Sequence, residues 1–574
     1  MNRPKARQRD AEPDQKWRYL ILDGYVDEPS DLGVPPYLSP KVRALSGGLI
    51  SGGAEKEQVG YITVDQWRQL RGKGWDISLL RNLEFLIIIT GCLVPGKYLR
   101  GTPISKREIM EASKGEHETM VTGSAAEKIS RSKVTICNGD TGVLGESISS
   151  QGRMISRERT SDEWNLHLLE GAFLAEMHPD FPTPLICEIE TSRGCPRYVT
   201  GGCSFCLEPS RGGMVTRDRE DIISEVSRLA SFGVNNLRVG GQSDLLAYGS
   251  QDIGKFDIVQ PDPESIDYLF KNIRESLYSG KGVRERTSRG LRPGIDCGIV
   301  HTDNSNPAVI SSYPEESRVA LDSIVRYTTS GSVLALGLES TDPPVRRMNN
   351  LNSTPEQVEE AVKIINSCGS RRGDNGMPDL LPGINFLGDL PGQSPETFQG
   401  DLEFLEKLLD RNFLLRRINI RRAVFSGKKK IDQRTRSAFW KFRETVRKKI
   451  DPAFLGKLLP PFSPLKGVYV ETKSGSSSYG RQIGSYPLMV RIANRAETGV
   501  FKDVVVTDIS GRSVVGFTYP FRINRASFGD LQSIPGIGKK RAATVFSNLP
   551  MDREKLIEIS PDSTPALDYI NFQK

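Results

Sequence analysis

The chain has 574 residues, too many for one hydrophobic core, so three or four domains are expected. With 37% hydrophobic and 26% charged residues it reads as ordinary globular protein; its longest apolar runs, such as Phe85–Ile89, are far too short to span a bilayer. Eight cysteines in so long a chain exclude a secreted disulfide framework and fit a reducing cytoplasm. Residues 1–16 are charged, lack the apolar centre of a signal peptide, and read as a disordered tail. From residue 17 to 150, buried-strand runs (Tyr19–Leu22, Phe85–Ile89, Val134–Cys137) alternate with helical segments (Thr63–Leu70, Ser124–Ser132), predicting a Rossmann-like α/β domain. The run from Gly47-Gly48 to Gly52-Gly53 reads as a flexible loop rather than a phosphate cradle, because no glycine-rich phosphate motif stands between a strand and a helix.

After a linker over 151–180, the apolar run Pro184–Ile189 leads into a loop carrying Cys195, Cys203 and Cys206. Three thiolates in a glycine-rich loop can converge on a soft metal centre. Zinc would usually want a fourth protein ligand, and His167, His178 and His301 stand at no zinc-finger spacing. Strand-then-helix units then recur through residue 426, with strands near 236–239, 293–300, 333–338, 383–387 and 417–424. Six strands alternating with helices predict a parallel sheet curling into a partial (β/α)6 barrel, with its chemistry at the C-terminal strand ends.

Residues 181–426 resemble the radical S-adenosylmethionine (radical SAM) superfamily, whose loop is Cys-x-x-x-Cys-x-aromatic-Cys after the first barrel strand. Cys203-Ser-Phe-Cys206 matches its second half, while seven residues separate Cys195 from Cys203 where the family usually has three. The resemblance implies a 4Fe–4S cluster on Cys195, Cys203 and Cys206, with one iron left for SAM. It also implies SAM contacts at Gly240, Gly241 and Gln242 (where the family has Gly-Gly-Glu), at Glu339 and Ser340, and at Asn385 in the segment Gly383–Gly392. The N-terminal domain loosely resembles the cobalamin-binding fold that precedes some radical SAM cores. The cobalt-ligating Asp-x-His-x-x-Gly is absent, however, which argues against cobalamin. Only Cys92 and Cys137 are available there, too few for the second cluster of the methylthiotransferase subgroup.

Between Arg411 and Ile450 stand 15 Lys or Arg against two acids, a local +13 that leaves the remainder at −6 within the overall +7. Charge so concentrated suits a polyanion, although a solvated helix face is the plainer explanation of most basic runs. Residues 427–464 read as a basic helical connector, in which Phe439, Phe442, Val446 and Ile450 form an apolar stripe for packing. Residues 465–525 contain four or five short alternating strands, with Tyr479–Tyr486 as a connection between them, and resemble the TRAM domain, a small RNA-presenting β-barrel of the OB-like kind. Within 526–574, Leu531–Ala543 resembles a helix-hairpin-helix. There Gly536 and Gly538 would shape the turn, and Lys539, Lys540 and Arg541 would face a phosphate.

Together these features predict a cytoplasmic radical SAM enzyme that modifies nucleic acid, RNA such as tRNA ahead of DNA. Its electron would come from a one-electron donor such as ferredoxin or flavodoxin. Two alternatives stay open: a cobalamin-linked radical SAM methylase of a small molecule or protein, and a non-catalytic Fe–S nucleic-acid-binding protein.

Overall fold

The computed structural model describes residues 16–25, 36–91, 101–123, 126, 134–151, 155–279, 298–423 and 432–573. The helix expected over 124–132 falls almost wholly outside these residues, as do the N-terminal tail and Cys92. The chain divides into two compact units, one of residues 1–192, 216–242 and 272–291, the other of 193–215, 243–271 and 292–574.

In the first unit, five parallel strands lie in the spatial order Val59–Thr63, Tyr19–Asp23, Phe85–Ile89, Glu118–Thr122, Thr135–Cys137. Their β-branched and aromatic residues are buried on both faces, as a doubly wound parallel sheet demands. Helix Val64–Gly72 starts at Thr63, whose hydroxyl accepts from Gln66 N while the Gln66 side chain accepts from Thr63 N. Three further parallel strands, Tyr37–Leu38, Ile186–Glu190 and Asn236–Gly240, form a separate run.

The glycine run expected to be a loop is helix instead. Pro40–Ser51 is helical, and Gly47 and Gly48 are both buried in it. A Cβ on Gly47 would stand 1.7 Å from His167 O, and one on Gly48 2.0 Å from Gly142 O. The glycines permit close helix approach, and that gain outweighs their low helix propensity.

Burial of charge is the other notable feature of this unit. Arg43 and Arg217 both donate to the carboxylate of Glu225, and Arg43 also reaches Glu188 O; all three side chains are almost fully buried. Glu188 in turn pairs with buried Arg238, and Trp164 Nε1 donates to Glu190 Oε2 at 3.2 Å. Burial opposes the charge on Glu225, but the two guanidiniums overcome it and hold the carboxyl below its ordinary range.

The second unit contains a parallel sheet in the order Asn304–Ser305, Ser332–Glu339, Leu380–Gly388, Arg417–Arg422. Leu334, Leu336, Leu338, Ile384 and Phe386 are buried, alternating with residues of the opposite face. Proline opens helices Pro314–Tyr327, Pro355–Gly369 and Pro395–Asp410, where its missing N–H costs nothing. Helix Gln433–Thr445 buries the expected stripe: Phe442 packs edge-on to Phe386, and Phe439 edge-on to Phe398.

A small closed barrel follows, built from Pro464–Ser474, Ser477–Gln482, Met489–Ile492, Ser513–Tyr519 and Phe501–Ser510. Val468, Val470, Val490, Ile492 and Val506 are part of its core. Tyr479-Gly-Arg-Gln, read from sequence as a connection, is the barrel's second strand. Last come short helices at Phe528–Leu531 and Lys539–Ser547; their Leu531, Ala542 and Val545, with Ile534 and Ile537 from the turn between them, share a core with Leu556 and Leu567.

Glu225 offers a direct test of the buried charge network. Glu225→Gln leaves two buried guanidiniums short of their counter-charge and should cost about 3–5 kcal/mol. Urea denaturation would measure it; a loss under ~1 kcal/mol would mean the network contributes little.

A thiol loop at the strand ends

Seven residues separate Cys195 from Cys203, and the structure takes up the extra length in a 3-10 turn over Pro196–Thr200. Tyr198 N donates to Cys195 O at 3.0 Å and Gly201 N to Tyr198 O at 3.2 Å. Gly201 (φ 80°) and Gly202 (φ 65°) then reverse the chain through left-handed conformations that a side chain would resist. A Cβ on Gly202 would also stand 2.1 Å from Pro209 Cγ. Cys206 N closes the second half of the motif on Cys203 O at 3.0 Å.

Two consecutive asparagines hold this loop from outside. Asn350 Nδ2 donates to Thr200 O at 2.9 Å and Gly202 O at 2.7 Å. Asn349 Oδ1 accepts from Ser204 Oγ at 2.7 Å, and its backbone O from Ser204 N at 3.1 Å. Asn349 is itself fully buried and anchored, its Nδ2 donating to Val345 O at 2.7 Å and Pro391 O at 2.9 Å. On the other flank, Glu208 accepts from Gly194 N at 3.1 Å, and Ser243 Oγ donates to Gly194 O at 2.9 Å.

All three cysteines are free thiols, half-buried, and close enough to influence one another electrostatically. Burial pushes Cys203 up to about 12, although the Arg197 guanidinium beside it acts to lower it. Arg197, itself buried, donates from Nη1 to Cys203 Sγ at 2.8 Å. Burial likewise lifts Cys206 to about 11 and raises Cys195. Thiols this desolvated lose their protons readily only to a metal.

Among the described residues no group of three His, Cys, Asp or Glu side chains is placed to hold a single metal ion. An all-sulfur set with no fourth protein ligand is poor for structural zinc, whereas a polynuclear iron–sulfur centre fits it. The residues present therefore fit a cluster carried by Cys195, Cys203 and Cys206.

Glu339 ends its strand with φ 65°, just after a register shift at Gly337. A non-glycine residue held there stores strain, and strain of this kind collects at functional sites. Burial lifts its carboxyl to about 8, with Arg421 opposing, and its charge is felt at Cys203 and Cys206. One strand over, Asn385 lies opposite Asn419, and Asn419 Nδ2 donates to Asn385 Oδ1 at 3.2 Å. Arg421 Nε donates to Asn419 Oδ1 at 3.3 Å. Ser340 is buried, and Thr341 after it is tied by N and Oγ to Asp401 Oδ1 at 2.7 and 2.8 Å. The second unit thus gathers Glu339, Asn385, Asn419 and Arg421 as a polar group on three adjacent strands.

Gly240, Gly241 and Gln242 end a strand of the first unit. Gly240 is required there by the Glu188–Arg238 pair, since a Cβ would stand 2.3 Å from Glu188 Oε1. Gly241 has φ 78°. Gln242 is fully buried, with Nε2 donating to Val239 O at 3.3 Å.

In the C-terminal hairpin, Gly536 (φ 84°) turns the chain and Gly538 is the N-cap of helix Lys539–Ser547. Lys539 and Lys540 are exposed. Arg541 is engaged within the fold, donating to Gly536 O at 2.9 Å and Asp562 Oδ2 at 2.6 Å.

Arg197, Asn349, Asn350, Asn419 and Arg421 did not emerge from sequence reasoning. Arg197 could have, since it is the one cation inside the widened gap between the first two cysteines. The asparagines carry no local signal.

The family model of the radical SAM superfamily matches residues 189–405, a span that includes the thiol loop, Glu339 and Asn385. The chain therefore carries a radical SAM domain, and is a radical SAM enzyme whose cofactors are a 4Fe–4S cluster and SAM. Among its relatives, an uncharacterized protein of Methanocaldococcus jannaschii is 38% identical over 530 residues, covering 87% of this chain and 93% of that one. Another, from Archaeoglobus fulgidus, is 35% identical over 548 residues, 94% of this chain and 96% of that one. The ribosomal protein uS12 methylthiotransferase RimO of Paraburkholderia xenovorans is 23% identical over 512 residues, 84% of this chain and 98% of that one.

The asparagine clamp makes a prediction. Asn349→Ala removes the Ser204 Oγ acceptor and should weaken the loop by about 1–3 kcal/mol. Iron retained per chain after anaerobic reconstitution and desalting should fall below wild type. Wild-type retention would show that the loop holds its shape unaided.

Proposed function

We propose that this radical SAM enzyme modifies a structured RNA, with Cys195, Cys203 and Cys206 as the protein ligands of its cluster. The observation that carries the cluster assignment is the presence of three free thiols in one loop clamped by Asn349 and Asn350, with Arg197 on Cys203. When bound, the cluster and SAM supply one-electron cleavage of SAM and a carbon-centred radical. The chain's own work is to position and shield. Arg197 stabilises thiolate at Cys203 through an N–H···S bond. Glu339 and Ser340 at one strand end, and Asn385 within the next strand, are candidates for the polar groups of SAM. Burial favours the protonated form of Glu339, so at neutral pH it can donate a hydrogen bond as well as accept one. For Gly240, Gly241 and Gln242 the same role rests on the sequence resemblance. The reductant is a one-electron donor of the ferredoxin or flavodoxin kind.

RNA as substrate is supported by surface chemistry in the second unit. Lys539 and Lys540 are exposed at the start of a helix, where backbone N–H groups add to their positive field. On helix Gln433–Thr445, Trp440 is 42% exposed with the Arg443 guanidinium 5.0 Å from its ring, a pairing suited to an unstacked base. The five-stranded barrel lies between these segments in sequence. A protein substrate is the second reading, favoured by the similarity to RimO, which by its name acts on ribosomal protein uS12.

Two outcomes test these assignments. Cys203→Ala should abolish most iron binding, whereas Cys368→Ala, outside the loop, should leave about four irons per chain. Retention of iron after replacing all three loop cysteines would overturn the ligand assignment. For the substrate, nucleoside mass spectrometry of RNA from cells with and without the gene should reveal one missing modified nucleoside. Lys539→Glu with Lys540→Glu should lower RNA affinity and reduce the log–log salt slope by about 0.7 per lost phosphate contact. An unchanged nucleoside profile beside an altered ribosomal-protein mass would favour the protein reading.

A further inference from the structure

Arg197 stands in the widened stretch between Cys195 and Cys203, within the 3-10 turn Pro196–Thr200. Its side chain is only 6% exposed although it carries a full charge. A guanidinium placed so deeply needs partners for its donors, and an uncompensated one is costly. Here the compensation is incomplete. Nη1 donates to Cys203 Sγ at 2.8 Å, while Nε has no hydrogen-bond partner among the described residues and lies 3.8 Å from Asp257 Oδ2. Asp257 is partly solvated and also accepts from Thr200 Oγ1 at 3.4 Å, so it offsets the guanidinium only in part.

The same residue reaches a second thiol. The backbone N–H of Arg197 bonds to the Cys195 thiol and the guanidinium charge is felt there, both favouring the thiolate. Thr200 Oγ1 donates to Arg197 O at 3.2 Å and steadies the turn that presents it. One residue of the insertion thus addresses two of the three loop sulfurs. Long basic side chains on a surface loop generally lay their stems on apolar surface and keep the charged end in water. Arg197 directs its charged end inward, to sulfur.

The consequence is electrostatic. One-electron reduction by the donor moves no atom and leaves one more negative charge among the sulfurs and irons. A buried cation and an N–H···S bond at a ligand sulfur favour that more negative state, and hydrogen bonds to sulfur and net charge are among the factors that set such potentials. We propose, resting on the ligand assignment above, that Arg197 raises the reduction potential of the cluster held by Cys195, Cys203 and Cys206, with Asp257 as the carboxylate that limits the effect. Arg197 acts through the ligand sulfurs and makes no bond to a reacting atom; its role is to set how readily the donor's electron is accepted.

The two partners of this ion pair should therefore behave oppositely. The midpoint potential is read by EPR during anaerobic redox titration of the full-length, reconstituted protein without SAM, for wild type, Arg197→Gln, Arg197→Lys and Asp257→Asn, after iron per chain has been counted. Arg197→Gln should make reduction about tenfold less favourable, a fall of about 59 mV for one electron. Asp257→Asn should shift the equilibrium the other way by about threefold, because the guanidinium loses its counter-charge. Arg197→Lys keeps the charge but not the fork, and should lie between Arg197→Gln and wild type. An arginine with a purely structural role would leave the potential unmoved wherever iron is retained, or would shift it in the same direction in Arg197→Gln and Asp257→Asn; either result overturns the proposal. Should Arg197→Gln fail to hold iron, Asp257→Asn decides: a raised potential upholds the role, and an unchanged or lowered one overturns it. Failure of the ligand assignment has its own signature, iron retained after all three loop cysteines are replaced, and it removes the role of Arg197 with it.

Discussion

One loop carries Cys195, Cys203 and Cys206 although seven residues separate the first two, and its surroundings are built around holding that loop in one shape. A loop of this length has many conformations, so fixing one of them has an entropic cost. The chain meets it in three ways. A 3-10 turn over Pro196–Thr200 shortens the excess, Gly201 and Gly202 reverse direction, and Asn349 and Asn350 bind loop carbonyls and Ser204 from a neighbouring segment. Arg197 lies inside the excess, so the same insertion that lengthens the loop delivers a guanidinium to Cys203. The extra residues thus have a chemical use as well as a structural one.

Around that loop, the second unit divides its sheet by chemistry. Leu334, Leu336, Leu338, Ile384 and Phe386 are buried in its packing, while Asn385, Asn419 and Arg421 form a hydrogen-bonded polar row. Glu339 sits where the strand stops being regular, after the shift at Gly337, and its positive φ sets the direction of a carboxyl that burial tends to keep protonated. The first unit buries charge differently. Arg43, Arg217 and Glu225 satisfy one another in its interior, where removing any single member exposes the full desolvation cost of the others.

Repeating patterns were legible in the sequence because each residue's role there is set by near neighbours. Alternation of apolar runs and amphipathic segments anticipated the parallel strands Tyr19–Asp23, Phe85–Ile89 and Leu380–Gly388, and turn residues marked most of the small barrel's strands. Tyr479–Gln482 was missed because its Gly and polar side chains carry no alternating signal, yet both its neighbours supply backbone partners. Gly47 and Gly48 misled for a related reason. Their propensity speaks for a loop, and only the approach of His167 and Gly142, about a hundred residues away in sequence, makes a helix there worthwhile.

The sequence by itself determined the chemistry of this protein. The cysteine loop and the strand-and-helix units that follow it in order carry the radical SAM resemblance, because covalent proximity already confines those thiols to one loop. Tertiary structure alone decided what surrounds those groups. Asn349 and Asn350 stand some 150 residues from the loop they hold. Such contacts depend on where independently folded segments come to rest. Hydrogen bonds of this kind leave no periodicity or spacing in the chain, so the clamp became visible only in the folded molecule.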